Sequence, residues 1–465
     1  MSILSLQNIT FTYFEDRKPT LEHLSAEFNS SRITVLTGAS GCGKSTLLYL
    51  AAGIYPHHAG FLKEGSAEID GTAAGSLAAP ERAKLVGMMF QNPELQFCMD
   101  TVWNELVFCL ENLNIAPQEM EPRIEEALAF CEISHLKNRT LQSLSGGERQ
   151  KVMLACLALL KPRWLLLDEP FANIDTASAK AIAAKLRQLH ESCGCGILAV
   201  DHRLEYWCGV ADEVRVMENG LLSEPKPVEA ELHYSPEVPP LSPEDQTAEP
   251  VLCISGLSLQ HGSKQILSNI SIAFQPGHIY AVLGESGCGK SSLFGALSGL
   301  YRYNGTISLE GHAYKPGGKK DLGKLGFVTQ NPQDQFVADT VLQEIMTGLP
   351  ADGSAAEKAE QILRSIKLWR YRDISAYMLS QGQQRRLGVA ALMAYPCRVL
   401  ICDEPTYAQD RGNTMAIMNS LCRQAREKHV ALVFSTHDRC LAADYADEVW
   451  EMKGGTLCAC TESCL

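Results

Sequence analysis

No stretch of this 465-residue chain could cross a bilayer. Its longest apolar runs, 152–160 and 387–397, fall far short of the roughly 20 residues that a spanning helix needs. The opening residues, MSILSLQNITFTY, carry no basic n-region and no cleavage site, so a signal peptide is not expected. Positive charge is also scarce. There are 41 Lys and Arg against 54 Asp and Glu, a net charge of −13, which argues against broad electrostatic binding to nucleic acid. The 17 cysteines lack a ligand pattern. Cys193-Gly-Cys195 and the tail Cys458-Ala-Cys460…Cys464 do not have zinc spacing, and Cys109, Cys156 and Cys402 sit in apolar runs. Free thiols in a reducing compartment are expected. Glu462 rules out a C-terminal prenylation box. A chain of this kind that works at a membrane must be held there by another chain.

What the sequence does contain, it contains twice. Residues 38–46 read GASGCGKST and 284–292 read GESGCGKSS, both fitting G-x-x-x-x-G-K-[ST]. LSGGE (144–148) pairs with LSQGQ (379–383), LLLDEP (165–170) with LICDEP (400–405), and His202 with His437. From Ser145 the steps to Asp168, Glu169, Asp175 and His202 are 23, 24, 30 and 57; from Ser380 to Asp403, Glu404, Asp410 and His437 they are the same. A single P-loop match arises easily by chance, but a duplicate of the whole ladder does not. The chain reads as a tandem nucleotide-binding machine.

Each half opens on strand-like alternation: Ile3, Leu4, Leu6, Ile9 and Phe11, then Val251, Leu252, Ile254, Leu257 and Leu259. The boundaries follow as 1–222 and 251–465. Residues 223–250, rich in Pro and Glu and poor in large apolar residues, read as an extended linker. Ile33-Thr-Val-Leu-Thr and Ile279-Tyr-Ala-Val-Leu are the strands feeding the P-loops. Trp164-Leu-Leu-Leu and Val399-Leu-Ile-Cys are apolar runs expected of central parallel strands. The stretches 103–137 and 341–370 look helical.

A P-loop needs glycine where the backbone turns tightly and meets phosphate oxygens, and its N–H groups and the following helix N-terminus face the negative charge. The candidate ATP-binding residues are therefore Gly38, Ser40, Gly41, Gly43, Lys44, Ser45 and Thr46 in the first half. In the second they are Gly284, Ser286, Gly287, Gly289, Lys290, Ser291 and Ser292. Lys44 and Lys290 would reach the β- and γ-phosphates, and Ser45 and Ser291 would ligate Mg²⁺. Asp168 and Asp403, at the ends of apolar strands, are candidates for the Mg²⁺ shell. The adjacent Glu169 and Glu404 are placed to polarise an attacking water. His202 and His437, each after an apolar strand, read as γ-phosphate contacts that orient that water. LSGGE and LSQGQ begin amphipathic helices, and a serine with glycines at a helix N-terminus makes an anion site.

With these motifs the chain resembles the ABC ATPase family over essentially its full length. The resemblance implies an α/β fold of two tandem ABC-type nucleotide-binding domains, each with a RecA-like core and a helical subdomain. It further implies that each ATP is clamped head to tail between one half's P-loop and the other half's signature. One site then uses Lys44 with Ser380, Gly382 and Gln383, and the other Lys290 with Ser145, Gly146, Gly147 and Glu148. Gln381 stands where the signature usually has glycine, which loses a glycine's backbone freedom, so unequal sites are expected, with the Lys44 site the slower. Tyr13 sits where the family stacks an aromatic on adenine; by register the second half has His261.

The most discriminating segments are MMFQNPELQFCMDTVWNEL (88–106) and FVTQNPQDQFVADTVLQEI (327–345). Gln91 and Gln330 are the Q-loop glutamines, expected at Mg²⁺ or the reacting water. The repeated QNPxxQF followed by DTVxxE closely resembles the ATPases of energy-coupling factor (ECF) importers, as do residues 108–113 and Asp201-His-Arg-Leu-Glu. That resemblance implies a peripheral ATPase on the cytoplasmic face of the membrane, using ATP and Mg²⁺. Its partners would be a membrane scaffold subunit and a separate membrane substrate-binding subunit. The substrate, a vitamin or a transition metal, would not touch this chain, and no nucleic acid is expected. Two alternatives remain: the ATPase of a conventional ABC importer, and a soluble twin-ABC factor acting on ribosomes or nucleic acid. The latter would want basic tails or metal-binding cysteine sets.

Overall fold

The structure, a computed structural model, describes residues 2–460 except 93, 94, 173, 219, 286, 319, 322, 351, 352 and 408. The chain divides into two compact units, 1–232 and 233–465.

The first unit is built on a six-stranded sheet. Its strands run in the order Val86–Met89, Trp164–Asp168, Gly196–Val200, Ile33–Gly38, Glu213–Glu218, Leu221–Leu222. Every neighbouring pair is parallel except the last. Trp164–Asp168 and Gly196–Val200 are buried at every position, because helices cover both faces of a parallel sheet. A three-stranded antiparallel sheet (Leu21–Asn29, Ile3–Thr12, Phe61–Ile69) packs its apolar face on the core. The helices Val102–Asn112, Pro117–Phe130 and Gly146–Leu160 close a further core around Leu106, Ile124, Leu128 and Val152.

The second unit repeats this plan with strands Leu325–Val328, Val399–Cys402, Ala431–Thr436, Ile279–Leu283, Glu448–Lys453 and Thr456–Ala459. Its helices Val341–Met346, Ala355–Ser365 and Gln381–Met393 pack around Val341, Ile345, Leu363 and Leu387. The two tandem α/β domains with helical subdomains are thus as the sequence implied. Among the described residues no helix is long and apolar enough to cross a membrane, and the cysteines are free thiols.

Two details depart from the sequence reading. The alternation of the first strand changes parity at a bulge between Leu6 and Ile9, where Asn8 takes a φ of 50°. Ile3 is exposed while Leu4, Leu6, Ile9 and Phe11 are buried. The second unit does the same between Ile254 and Leu257, at Gly256 with φ 63°.

The segment 223–250 is also not the unpacked linker that its composition suggests. Lys226 bridges Val214 in both directions (2.8 and 2.9 Å) and Val228 is buried, all within the first unit. In the second unit Tyr234 donates from its N–H to Asp444 (2.6 Å) and from its hydroxyl to Asp438 (2.9 Å). A short helix, Pro243–Gln246, is capped by Ser242 and buries Asp245 against His429 at 2.9 Å. Polar contacts to each unit hold this segment together with apolar anchors, Val228 in the core of the first unit and Tyr234 and Val238 against that of the second.

Candidate nucleotide sites

In both units the chain reverses at the C-terminal ends of the parallel strands, where open α/β sheets bind ligands. The first P-loop leaves strand Ile33–Gly38 and enters helix Lys44–Ala51. Gly38 and Gly43 have φ of 143° and 106°. A Cβ would stand 2.2 Å from the Met217 carbonyl oxygen at Gly38 and 2.5 Å from Leu21 Cδ2 at Gly43. Both conformation and space therefore demand glycine. Neither P-loop helix has a side-chain cap at Gly43 or Gly289, which leaves their first N–H groups for an anion. Lys44 Nζ donates to the carbonyls of Gly38 (2.8 Å) and Ala39 (2.9 Å). Lys290 Nζ donates to those of Gly284 (2.5 Å) and Glu285 (3.1 Å). Each ammonium is buried inside its own loop. Ser291 is exposed and Ser292 half-buried; Ser286 lies outside the described residues.

The carboxylates gather beside each loop, but differently in the two units. Ser45 Oγ donates to Asp168 Oδ1 (2.9 Å) and the Tyr49 hydroxyl to Oδ2 (3.0 Å). Burial pushes the Asp168 carboxyl up, against these two hydrogen bonds. Gln91 Nε2 donates to Glu169 Oε2 at 2.8 Å, and His202 Nε2 stands 3.5 Å from Oε1. Burial holds the Glu169 pKa above the usual carboxylate value, with the Asp168 charge acting in the same direction. In the second unit Asp403 Oδ1 accepts from Ser435 Oγ (2.7 Å). Glu404 faces Lys290 Nζ at 3.5 Å and His437 Nδ1 at 3.8 Å. Burial raises the Glu404 pKa, but His437 and Lys290 outweigh it and the net shift is downward. Both glutamates take the left-handed backbone, φ 48° and 47°. That is a costly conformation for glutamate, of the kind that clusters at functional sites.

The signature serines are helix N-caps. Ser145 Oγ accepts from Glu148 N–H at 3.4 Å, while the Glu148 carboxylate accepts from Ser145 N–H at 2.7 Å, a capping box. Ser380 and Gln383 form the same box. Gly147 has no room for a Cβ, which would meet Ser178 Oγ at 2.5 Å, and Gly382 would place one 3.0 Å from Gln409 Oε1. The helices begin at Gly146 and at Gln381, and Gly146 does not take a positive φ. The difference at position 381 is therefore an exposed side chain over the helix N-terminus, not lost backbone freedom. Tyr13 presents a partly exposed ring, its hydroxyl 2.8 Å from Thr46 Oγ1, while His261 is exposed at a hairpin end opposite Lys264.

The QNPxxQF and DTVxxE motifs brace their own loops. Gln96 accepts from Phe90 N–H (2.8 Å) and donates to the Met88 carbonyl (3.0 Å). Glu105, buried, accepts from the N–H groups of Cys98 (2.9 Å) and Met99 (2.8 Å). Glu344 does the same for Val337 (3.0 Å) and Ala338 (2.8 Å). Thr101 and Thr340 cap the helices that follow. Left outward are Leu95 at 85% and Val337 at 77% exposure. Gln330 lines a groove of about 460 Å³ with Asn331, Gln381, Gln384 and Tyr407. Its backbone carbonyl and that of Thr329 accept from buried Arg385. Sequence reasoning missed Tyr49, Gln96, Glu105, Glu344, Arg385 and Ser435. The repeat of Gln and Glu in the two motifs was the one available signal.

The donor set suits Mg²⁺. This ion binds through one or two carboxylates plus phosphate oxygens and water, not through an all-protein cage. Each unit offers one aspartate, one P-loop serine and one Q-loop glutamine, and among the described residues no cluster of three His, Cys, Asp or Glu exists that could hold a metal.

A strand–loop–helix anion cradle with a buried lysine, a strand-end Asp-Glu pair and a histidine, present twice, defines a tandem P-loop ATPase. The ABC transporter family model matches residues 21–172 and 267–407, and the chain belongs to that family; it is an ABC-type ATP hydrolase. It is 32% identical to the Bacillus subtilis (strain 168) protein named "Putative HMP/thiamine import ATP-binding protein YkoD", over 96% of this chain and 89% of that one. It is 30% identical to a Methanosarcina mazei ABC transporter ATP-binding protein over 98% of this chain and 94% of that one. Among solved structures, an archaeal ribosome recycling factor, aABCE1, in complex with the ribosomal stalk protein aP1, superposes with a TM-score of 0.69. It is 18% identical over 97% of this chain and 89% of that one. A structure titled RNase-L Inhibitor gives 0.67, also at 18%, over 97% and 90%. At such identity these two show the fold alone.

Proposed function

We propose that this chain is the ATP-hydrolysing subunit of an ECF-type importer, powering uptake of a vitamin or transition metal through separate membrane subunits. It would sit peripherally on the cytoplasmic face of the membrane. The observation that carries the reading is the full-length relationship to a protein named for HMP/thiamine import, combined with the twice-repeated QNPxxQF-DTVxxE segment. In each unit that segment is a braced loop presenting an exposed apolar residue, Leu95 or Val337, a few residues on from the Q-loop glutamine. Such a surface suits docking by a membrane scaffold.

In this reading the P-loop amides with Lys44 and Lys290 bind the triphosphate. Ser45 with Asp168, and Ser291 with Asp403, would hold a magnesium ion, which would supply neutralisation of phosphate charge. Glu169 and Glu404 take the proton of the attacking water, and His202 and His437 hold that water and the γ-phosphate in line. Binding then biases the protein toward a closed state and product release reopens it.

The test is a pull-down of the tagged full chain from detergent-solubilised native membranes. Recovery of a polytopic scaffold with a small hydrophobic subunit is the expected result, and the latter would identify the substrate. Recovery of ribosomes or nucleic acid, with no membrane protein, would overturn the importer reading and leave the ATPase.

A further inference from the structure

In the first unit one helix grips the strand-end carboxylate at both oxygens. Ser45 holds Oδ1 of Asp168 at 2.9 Å and Tyr49 holds Oδ2 at 3.0 Å. The Tyr49 ring is itself wedged edge-on between Tyr55 (5.2 Å) and Phe90 (5.6 Å). Phe90 directly precedes Gln91, whose amide reaches Glu169. Tyr55 continues to Tyr13 at 5.8 Å, so a run of packed rings joins the exposed Tyr13 to Asp168 and the Q-loop.

The second unit lacks this device. Counting from its P-loop lysine, Gly295 replaces Tyr49, and Tyr301 matches Tyr55. The Tyr301 ring fills the place of the missing side chain: a Cβ at Gly295 would lie 2.5 Å from it. Thr329 precedes Gln330 where Phe90 precedes Gln91, and Asp403 is held instead by Ser435, on the adjacent strand.

We infer that Tyr49 is a positioning residue that sets the Asp168 carboxylate for magnesium in the first unit only, and ties its orientation to the Q-loop through Phe90. With Tyr49 on Oδ2, Oδ1 is kept turned toward the Ser45 hydroxyl, the pair that a magnesium ion at the P-loop would meet. A Q-loop movement that shifts the Phe90 ring is transmitted to the tyrosine packed against it. The inference rests on reading Lys44, Ser45 and Asp168 as the nucleotide and magnesium site.

The full chain carrying Lys290→Ala confines tight ATP binding to the first unit. ATP affinity is measured there in magnesium and in EDTA, with and without Tyr49→Phe, which keeps the ring and removes only the hydroxyl. The expected result is that the tightening of ATP binding by magnesium falls by a factor of about ten or more in the phenylalanine variant, the loss of one hydrogen bond to a charged group. Affinity in EDTA should hold, while the thermal midpoint falls modestly with the lost hydrogen bond. An unchanged magnesium effect overturns the inference. So does an equal loss in magnesium and in EDTA, which would show that the hydroxyl does not act through the ion. If Lys44→Ala leaves ATP binding intact in the Lys290→Ala background, the nucleotide-site reading fails before Tyr49 is reached.

Discussion

Gln91 Nε2 lies 2.8 Å from Oε2 of Glu169, and this bond marks the chemical difference between the two halves. Glu169 is half-buried and desolvation holds it above its ordinary pKa, whereas Glu404, more deeply buried but facing Lys290 and His437, is held below it. A base must be ionised to take a proton. Activity carried by Glu169 should therefore fall off at a higher pH on acidification than activity carried by Glu404. The check is to compare pH–rate profiles of Glu404→Gln, which leaves the first glutamate working, and Glu169→Gln, which leaves the second. Coincident acid limbs, or limbs in the reverse order, would contradict this.

Unequal contributions are also expected at neutral pH. The first unit carries Lys44, whose site the family resemblance makes the slower because the exposed Gln381 side chain stands where the signature usually has glycine. Glu404→Gln should cost about tenfold or more in steady-state turnover, and Glu169→Gln clearly less. Equal losses would remove the asymmetry.

Much of this was legible in the sequence for physical reasons. Buried parallel strands such as Trp164–Asp168 must be continuously apolar, and loops that approach phosphate must be glycine-rich, so both announce themselves in composition and spacing. Contacts from a side chain to the backbone of its own loop do not. Glu105 on Cys98 and Met99, and Gln96 on Phe90, turn a segment that reads as a docking motif into one that first braces itself. Tyr49 is hidden inside the apolar run LLYLAAG, where a tyrosine looks like core. The segment 223–250 looks unfoldable in isolation, because the partners of its second part, Asp438, Asp444 and His429, lie far off in sequence. At Gln381 the residue type suggested lost backbone freedom, where the helix needs none.

The bracing role of Glu105 can be measured directly. Glu105→Ala strips the acceptor from two N–H groups, which should cost about 1–3 kcal/mol, read as a lower urea midpoint. Glu105→Gln, keeping one acceptor oxygen, should cost less. Amide hydrogen exchange at Cys98 and Met99 should accelerate in the alanine variant, and Glu344→Ala should do the same at Val337 and Ala338. Unchanged exchange at those amides would show that the carboxylates do not hold the loops.

Asp201, immediately before His202, supplies a pH signature of the first unit. It is fully buried, accepts from Arg203 N–H (2.9 Å) and Trp207 Nε1 (3.0 Å), and burial nonetheless pushes its pKa up to about 6. The unfolded chain would titrate near about 4. A folded pKa above the unfolded one means that the folded state holds the proton more tightly. The ionisation penalty is thus full above about pH 6 and gone below about pH 4, and amounts to roughly 3 kcal/mol. This group alone therefore makes the unit more stable as pH falls from 7 to 5, by about 1 kcal/mol. Asp201→Asn cannot titrate; it keeps an acceptor for Arg203 but loses the bond from Trp207. The stability gap between the native chain and Asp201→Asn, from urea unfolding followed at tryptophan, should widen in favour of the native chain by that amount between pH 7 and pH 5. A gap that does not move with pH would mean that Asp201 is ionised at an ordinary pKa despite its burial.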